Sequence, residues 1–564
     1  MYLLHSYSDL FWHCWLVVIW LRITRRNTFP PLSNMDNVIS FDHLQSSVLV
    51  FIFQSKKVYG FLFFSAILSI IYYYVDYKIK HRRLEKMIDQ FDGPKGLPII
   101  GNAHEFLGSP KVVLKNGIAL ANTYKNPRVW LVHKPYIIIS TPEDYQTVAF
   151  KTLEKDNSYK FVADMLGDGL ITSEVNRWKR NRRIINPALN PTMLYHNFLQ
   201  IFNEKCVTLI NQLKKEVGTK KQFDLWPYIS ENSIMTICET TMGYTDADDS
   251  AEVMKYGEDL IKSSKLVSLR IYKPWLMPSI TFKAYRYLLG FGKIFDTVRE
   301  LPLKVVKKRR EQFEKMKTEG YVRTGQEKTM QNFIDILLNY HDANTNFTDK
   351  ELTDEVNTMM FAGSETTAVT ICFCMLMLGM RQDVQKRVYE EIHSVFGDEN
   401  RLPNLEDLSK LSYLEQCIKE TLRRFTVVPL GLRHTQEDIP ISDGKIIPSG
   451  CNIALFGLAI HLNPEIYPNP EIWDPSNFDP DKVANRHKAS FVPFGAGPRG
   501  CVGQKYAMVS MKAQLSTMIR NFKITTDIKM EDIELSIDIL LRSSTGYYVK
   551  LDYRHGESLT SSLF

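Results

Sequence analysis

The sequence predicts a mainly α fold with a small β region, carried by one large domain behind an apolar N-terminal segment. Three observations lead there. Long helical patterns dominate the chain, and only short runs such as "RVWLVH" (Arg128 to His133) and "YIIIST" (Tyr136 to Thr141) read as strands. The pattern from Asp349 to Met380 is long and apolar, with Glu365 the only charge between Val356 and Met380. Finally, 564 residues at 44% hydrophobic content can bury a large core, and no internal repeat or low-complexity tract interrupts them. The net charge of +7, from 70 basic and 63 acidic residues, is mild for this length and does not by itself imply nucleic acid. Eight scattered cysteines with no C-x-x-C pair give neither a disulfide framework nor a zinc site, so the thiols are expected reduced and cytosolic.

Residues 1–57 read as an extension of uncertain status. "FWHCWLVVIWL" (Phe11 to Leu21) is too short to span and lacks a basic segment before it, and Met35 offers an alternative start. From Val58 to Val75, 18 residues carry no charge, and at ~1.5 Å per residue they span roughly 27 Å, near the ~30 Å hydrocarbon layer. Residues 58–77 therefore read as a transmembrane anchor, against the competing reading of a buried core helix. Lys78, Lys80, His81, Arg82, Arg83 and Lys86 follow, and this basic linker (78–93) is the mark of the cytoplasmic side. "FDGPKGLPIIGN" (Phe91 to Asn102) cannot continue a helix and reads as a stiff turn into the main domain, 94–553, before a tail at 554–564. The polar stretch Glu314 to Met330 reads as a surface connection.

Within the domain, "RWKRNRR" (Arg177 to Arg183) is the dense basic run, and its generic reading is a nucleic-acid patch. Trp178 and Arg182, four apart, would share one helix face. Thr348 followed by Glu351 fits a capping box opening the long helix. Its middle, "AGSETT" (Ala362 to Thr367), is too polar for lipid, and a carboxylate beside two threonines inside a buried helix is costly without partners or work. In "KETLRR" (Lys419 to Arg424), Glu420 and Arg423 are three apart, and as an exposed pair they would contribute only about 0.2–0.5 kcal/mol. Near the C-terminus, "FVPFGAGPRGCVGQKYAM" (Phe491 to Met508) sets Cys501 behind glycines and a proline, before a helix starting near Val502. Free N–H groups and the helix dipole there would stabilise a thiolate suited to an axial metal ligand. The bland alternative is a buried, inert cysteine.

Phe494, Gly497, Arg499, Cys501 and Gly503 fit F-x-x-G-x-R-x-C-x-G, and by this the chain resembles the cytochrome P-450 superfamily from Pro94 to about Tyr553. The resemblance implies the cytochrome P-450 fold with a single haem-binding catalytic domain and haem b (iron protoporphyrin IX). Cys501 is then the iron ligand, and Arg499, Trp178, Arg182 and Arg433 are contacts of the haem propionates. "AGSETT" resembles the family's A/G-G-x-D/E-T-T motif, which assigns proton delivery to Glu365 and Thr366 and room for dioxygen and substrate to Ala362 and Gly363. Glu420 and Arg423 match its buried E-x-x-R pair. The third partner is normally an arginine, but "DPSNF" (Asp474 to Phe478) places Asn477 there. Outward Lys179, Arg180 and Arg183 would form a positive face for an acidic reductase.

The expected activity is that of a membrane-anchored haem-thiolate monooxygenase acting on an apolar substrate: a fatty acid, terpenoid, odorant or xenobiotic. Electrons would come from NADPH through a separate NADPH–cytochrome reductase, with cytochrome b5 as a further donor. The location would be the endoplasmic reticulum membrane. A peroxide-rearranging isomerase and a non-enzymatic haem sensor or carrier are the alternatives. The helix and cysteine motifs resemble the clan containing fatty-acid ω-hydroxylases and many insect enzymes. Many of its members carry, where Ala362 stands here, a glutamate esterified to the haem, so the haem of this chain is expected to be non-covalent apart from the Cys501 thiolate.

Overall fold

The computed structural model describes residues 60–554 apart from 62, 66, 70, 73, 77–78, 80, 99, 133, 190–197, 220, 245–249, 319–331, 344–346 and 400. The expectations for residues 1–57, for Lys78 and Lys80, for the tail beyond residue 554 and for most of Glu314 to Met330 lie outside the described residues. The chain divides into two units, 1–82 and 83–564. In the first, the described residues of 60–76 are helical, and Phe61, Phe63, Phe64 and Tyr72 are all exposed.

The second unit is mainly helical. Eight helices matter to the site: α1 (Tyr159–Leu166), α2 (Val175–Ile185), α3 (Leu199–Leu213), α4 (Trp226–Met242), α5 (Ser250–Tyr272), α6 (Asp349–Met380), α7 (Ser412–Arg424) and α8 (Gln504–Asn521). Helix α6 is long and apolar enough to cross a membrane, yet it is mostly buried within the protein. It packs most extensively along α4, and also meets α7 and α8, so it forms the axis of the core. The capping box stands at its start. Glu351 N–H donates to Thr348 Oγ1 at 3.3 Å, and Thr348 N–H donates back to Glu351 Oε2 at 3.1 Å.

The β region is small. Strands β1 (Arg128–Leu131), β2 (Lys134–Ile139), β3 (Gly431–His434) and β4 (Asn452–Leu455) form one sheet in the order β1-β2-β4-β3. Only β2 and β4 run parallel, with Ile137 opposite Ile453. The first strand stops at Leu131, before its expected end at His133, because Val132 takes a φ of 61° in the turn to β2. A hairpin of β5 (Leu535–Asp538) and β6 (Leu540–Ser543) lies near the C-terminus.

Candidate active site

The cysteine loop is built as its composition demands. Gly497 has a φ of 69°, and a Cβ there would lie 2.5 Å from the Ala149 carbonyl oxygen, so only glycine fits. The Cys501 N–H donates to the Phe494 carbonyl at 2.8 Å, which closes the loop. Helix α8 begins at Gln504, two residues later than the glycine and proline pattern suggests, with Gly503 as its N-cap. Behind it Met511, Leu515 and Met518 are buried on the apolar face that anchors the helix. Cys501 keeps an accessible surface on one side while protein crowds it on the others. Burial pushes its thiol up, and the Gly503 N–H and Arg182 pull it back only in part. The helix start thus does not by itself make a free thiolate. A bound cation would complete the ionisation.

Around this loop sits a cluster of cations. Arg499 Nε and Nη2 donate to the carbonyls of Leu153 and Ser173, each at 3.1 Å, and its guanidinium lies 4.4 Å over the Trp178 ring. Its Nη1 has no partner, and neither has Arg433 Nε, although both atoms are buried. Lys155 bridges to the same Arg433 strand, and burial together with Arg433 and Arg499 holds its amine well below the usual lysine range. Burial and Arg433 likewise bring Arg499 down to about 10. Arg182 Nη1 donates to the Gly500 carbonyl at 2.9 Å. Mutually repelling cations with unused donors are costly in an interior unless an anion joins them. Two carboxylates of a bound macrocycle are such anions, so the residues present fit a haem whose iron meets Cys501. Trp178, Arg182, Arg433, Arg499 and Cys501 come together. Lys155 was not foreseen, because it lies in no motif and reaches the cluster only through the fold.

In the middle of α6, Ala362, Gly363 and Thr366 retain partial exposure while Ser364, Glu365 and Thr367 are buried. The Thr366 hydroxyl donates to the Ala362 carbonyl at 2.7 Å. Glu365 instead pairs through Oε2 with Arg542 of β6, whose guanidinium lies 5.1 Å over the Trp226 ring, while Glu365 Oε1 has no partner. Burial raises the Glu365 carboxyl, and Arg542 opposes the rise. The two residues of the expected relay therefore hold separate partners. Arg542 lies 177 residues beyond Glu365, and no sequence spacing announces it. Gly363 differs from expectation: a Cβ on it would collide with Ile237 of α4, so its smallness serves the close approach of α4 and α6. Arg180 also differs, since it pairs with Glu351 at 2.6 Å and leaves Lys179 and Arg183 as the exposed cations of that run.

Glu420 and Arg423 are fully buried, not a solvated pair. Arg423 Nη2 and Nε donate to the two Glu420 oxygens at 2.7 and 2.8 Å, and further bonds run to the carbonyls of His461, Pro470 and Ile472. Asn477 Nδ2 donates to Glu420 Oε1 at 3.2 Å. The charge absent at residue 477 stands nine residues on: Arg486 donates to the Asn477 carbonyl and lies 4.3 Å over the Tyr467 ring.

A loop with one exposed thiol beside cations that keep unused donors, in a fold whose axis is a long helix interrupted by small and polar residues, is the arrangement of a haem-thiolate protein. The family model described as Cytochrome P450 matches residues 92–551. The chain is 32% identical to Cytochrome P450 4c3 of Drosophila melanogaster, over 86% of this chain and 93% of that protein. It is 28% identical to Cytochrome P450 4g15 of the same species (87% and 97%) and 30% identical to Cytochrome P450 4V2 of Homo sapiens (82% and 89%). The chain belongs to the cytochrome P450 family, and so to the haem-thiolate oxidoreductases of the monooxygenase class.

Proposed function

We propose that this chain is a membrane-anchored monooxygenase that oxidises a small apolar substrate with electrons from NADPH, delivered by a separate NADPH–cytochrome reductase and, as a second donor, cytochrome b5. The observation that carries this reading is an exposed Cys501 in one loop with Arg499, whose buried, partnerless donor is accompanied by that of the neighbouring Arg433. Bound haem b would supply the activation of dioxygen, placing one oxygen atom in a C–H bond or double bond and releasing the other as water. Cys501 would ligate the iron. Arg433, Arg499, Arg182 and Trp178 would hold the propionates, and Lys155 would join them. Phe494 and Gly503 frame the sulfur, and Glu420, Arg423 and Asn477 keep the surrounding core rigid.

Glu365 is the proton source in this reading. Burial raises its carboxyl, Arg542 opposes the rise, and the same pairing fixes where that carboxyl sits. Thr366, partly exposed one residue on, would pass a proton through its hydroxyl once it leaves the Ala362 carbonyl. Lys179 and Arg183 would form the positive face for an acidic electron donor. The apolar segment 58–77 and the basic residues after it would anchor the chain in the endoplasmic reticulum with the domain in the cytosol. Domain boundaries at 78–93, 94–553 and 554–564 follow the same reading.

Reconstitution with a reductase, NADPH and panels of fatty acids, terpenoids, odorants and plant toxins tests the reading, with a ligand-induced spectral shift as the first screen. NADPH-dependent oxygenated product from any class supports it. A haem spectrum without any such product across the panel would assign a carrier or sensor role instead.

A further inference from the structure

Upstream of the oxygen-side motif, α6 carries "DEVNT" (Asp354 to Thr358), a run of polar residues that is almost wholly buried. None of it is used by the chemistry above. Most of its hydrogen bonds across the fold go to one place, the end of α1, the turn after it and the helix that follows, while Asn357 Oδ1 also accepts from the Tyr256 hydroxyl of α5 at 2.8 Å. The Asp168 N–H donates to Asp354 Oδ2 at 3.0 Å, and the Leu170 N–H donates to Glu355 Oε2 at 2.9 Å. Asn357 Nδ2 donates to the carbonyls of Met165 and Leu166 at 3.4 and 3.3 Å. The contact is close enough that Gly167, at a φ of 85°, has no space for a Cβ beside the Asp354 carboxylate.

Glu355 does more than hold the turn. Its other oxygen, Oε1, accepts from Asn181 Nδ2 at 2.6 Å, and Asn181 sits on α2 between Trp178 and Arg182. Arg180 Nε donates to Asn181 Oδ1 at 3.0 Å and so turns the amide donor toward Glu355. The same turn ends at Ser173, whose carbonyl accepts from Arg499. One carboxylate with no solvent exposure therefore grips both the turn and the helix that flank the cation cluster.

We propose that Glu355 is a positioning residue that ties α2 and the Gly167–Ser173 turn to α6, and so fixes the haem-holding side chains relative to the oxygen-side helix. The proposal rests on the reading of Trp178 and Arg182 as haem contacts. Burial pushes the Glu355 carboxyl up to about 7, against the Asn181 and Leu170 donors and Arg177, with Asp354 adding to the rise. Asp354 is raised as well, in a setting of Asp168, Lys350 and Arg299. Glu351 beside them is paired with Arg177 and Arg180. A carboxyl raised in the closed state and ordinary when opened to water favours closure while it is protonated. The grip is therefore strongest below the ordinary carboxylate pKa and weakens as pH rises to about 7, above which it is constant.

Hydrogen exchange of the Gly167–Ser173 stretch in the haem-loaded, full-length protein reads this directly. After correction for intrinsic rates, opening of the turn in the wild type should be on the order of tenfold easier at pH 7.5 than at pH 5.5. Glu355→Gln keeps the shape and one acceptor but cannot titrate, so most of that pH dependence should vanish. Asp354→Asn should keep it. Glu355→Ala should also pass its haem to apomyoglobin severalfold faster than the wild type. A wild-type profile flat between these pH values, or a Glu355→Gln profile with the wild-type slope, would overturn the grip, and the wild-type series alone decides if variants do not accumulate. Haem loss unchanged in Glu355→Ala would overturn its effect on the haem side. Unchanged haem retention in Trp178→Ala and Arg182→Ala would instead remove the reading of those two residues while leaving the exchange result standing.

Discussion

Two buried guanidinium nitrogens, on Arg433 and Arg499, have no partner, and Arg499 belongs to the same loop as the exposed Cys501. The arginines wait for anions; the sulfur waits for a cation. Cys501→Ala would remove the proposed ligand, and no other described cysteine offers an exposed thiol, since the remaining ones are all buried. The reduced carbon-monoxide complex should then lose its thiolate-type absorption, and survival of that band in the mutant would defeat the assignment. For the relay, Glu365→Gln and Thr366→Ala should leave haem uptake nearly intact, because neither side chain touches the cysteine loop, while NADPH electrons are diverted into hydrogen peroxide. Loss of a general acid commonly costs about 10²–10⁴-fold in rate. Product per NADPH equal to wild type in both variants would refute their role. Cys501, Glu365 and Thr366 could be nominated from the sequence because each lies within a local motif. Arg542 and Lys155 were not, because a partner brought in by tertiary folding leaves no trace at any fixed spacing.

At the scale of elements, the same contrast separates what spacing can tell from what packing decides. The capping box at Thr348 and Glu351 and the run to Met380 were readable because caps and periodicity act over four residues. The Glu420–Arg423 pair shows the limit. Three-residue spacing on α7 is equally compatible with a solvated pair and with a buried one, and only the carbonyls of residues 461, 470 and 472 make it the latter. The energetic consequence is large. Arg423→Ala would strand Glu420 in the core and should cost about 3–5 kcal/mol, enough to abolish folded haem protein. Asn477→Ala removes one of several bonds to Glu420 and should cost only about 1 kcal/mol, read as a modest fall in thermal midpoint. Equal losses from the two variants would mean that Asn477 matters to the network as much as Arg423 does. Gly363 teaches the converse lesson. A small residue in a reactive motif looks like room for a ligand, but which neighbour occupies that room is a matter of helix packing, and here it is Ile237.

At the scale of the whole molecule, two questions concern attachment: of the chain to a membrane and of the cofactor to the chain. If the basic residues after the anchor set its orientation, protease added to intact microsomes should digest the large domain, and protection until detergent is added would place it in the lumen. The second question turns on Ala362. Its methyl group offers no nucleophile, whereas many members of the ω-hydroxylase clan that the sequence motifs resemble carry at this position a glutamate esterified to the haem. With Ala362 in place, the haem should be held by the Cys501 thiolate, the cations at 155, 182, 433 and 499, and apolar packing alone. Acidified organic solvent protonates the thiolate and the propionates together and should therefore extract all of the haem. A missing ester also removes a rigid link between the macrocycle and α6. The substrate should then be less strictly aligned, and a fatty acid supplied to the purified enzyme should be oxidised at several carbons near its end. Mass spectrometry of the denatured protein decides the first point, since haem still bound to the polypeptide would contradict it. Strict hydroxylation of the terminal methyl would contradict the second.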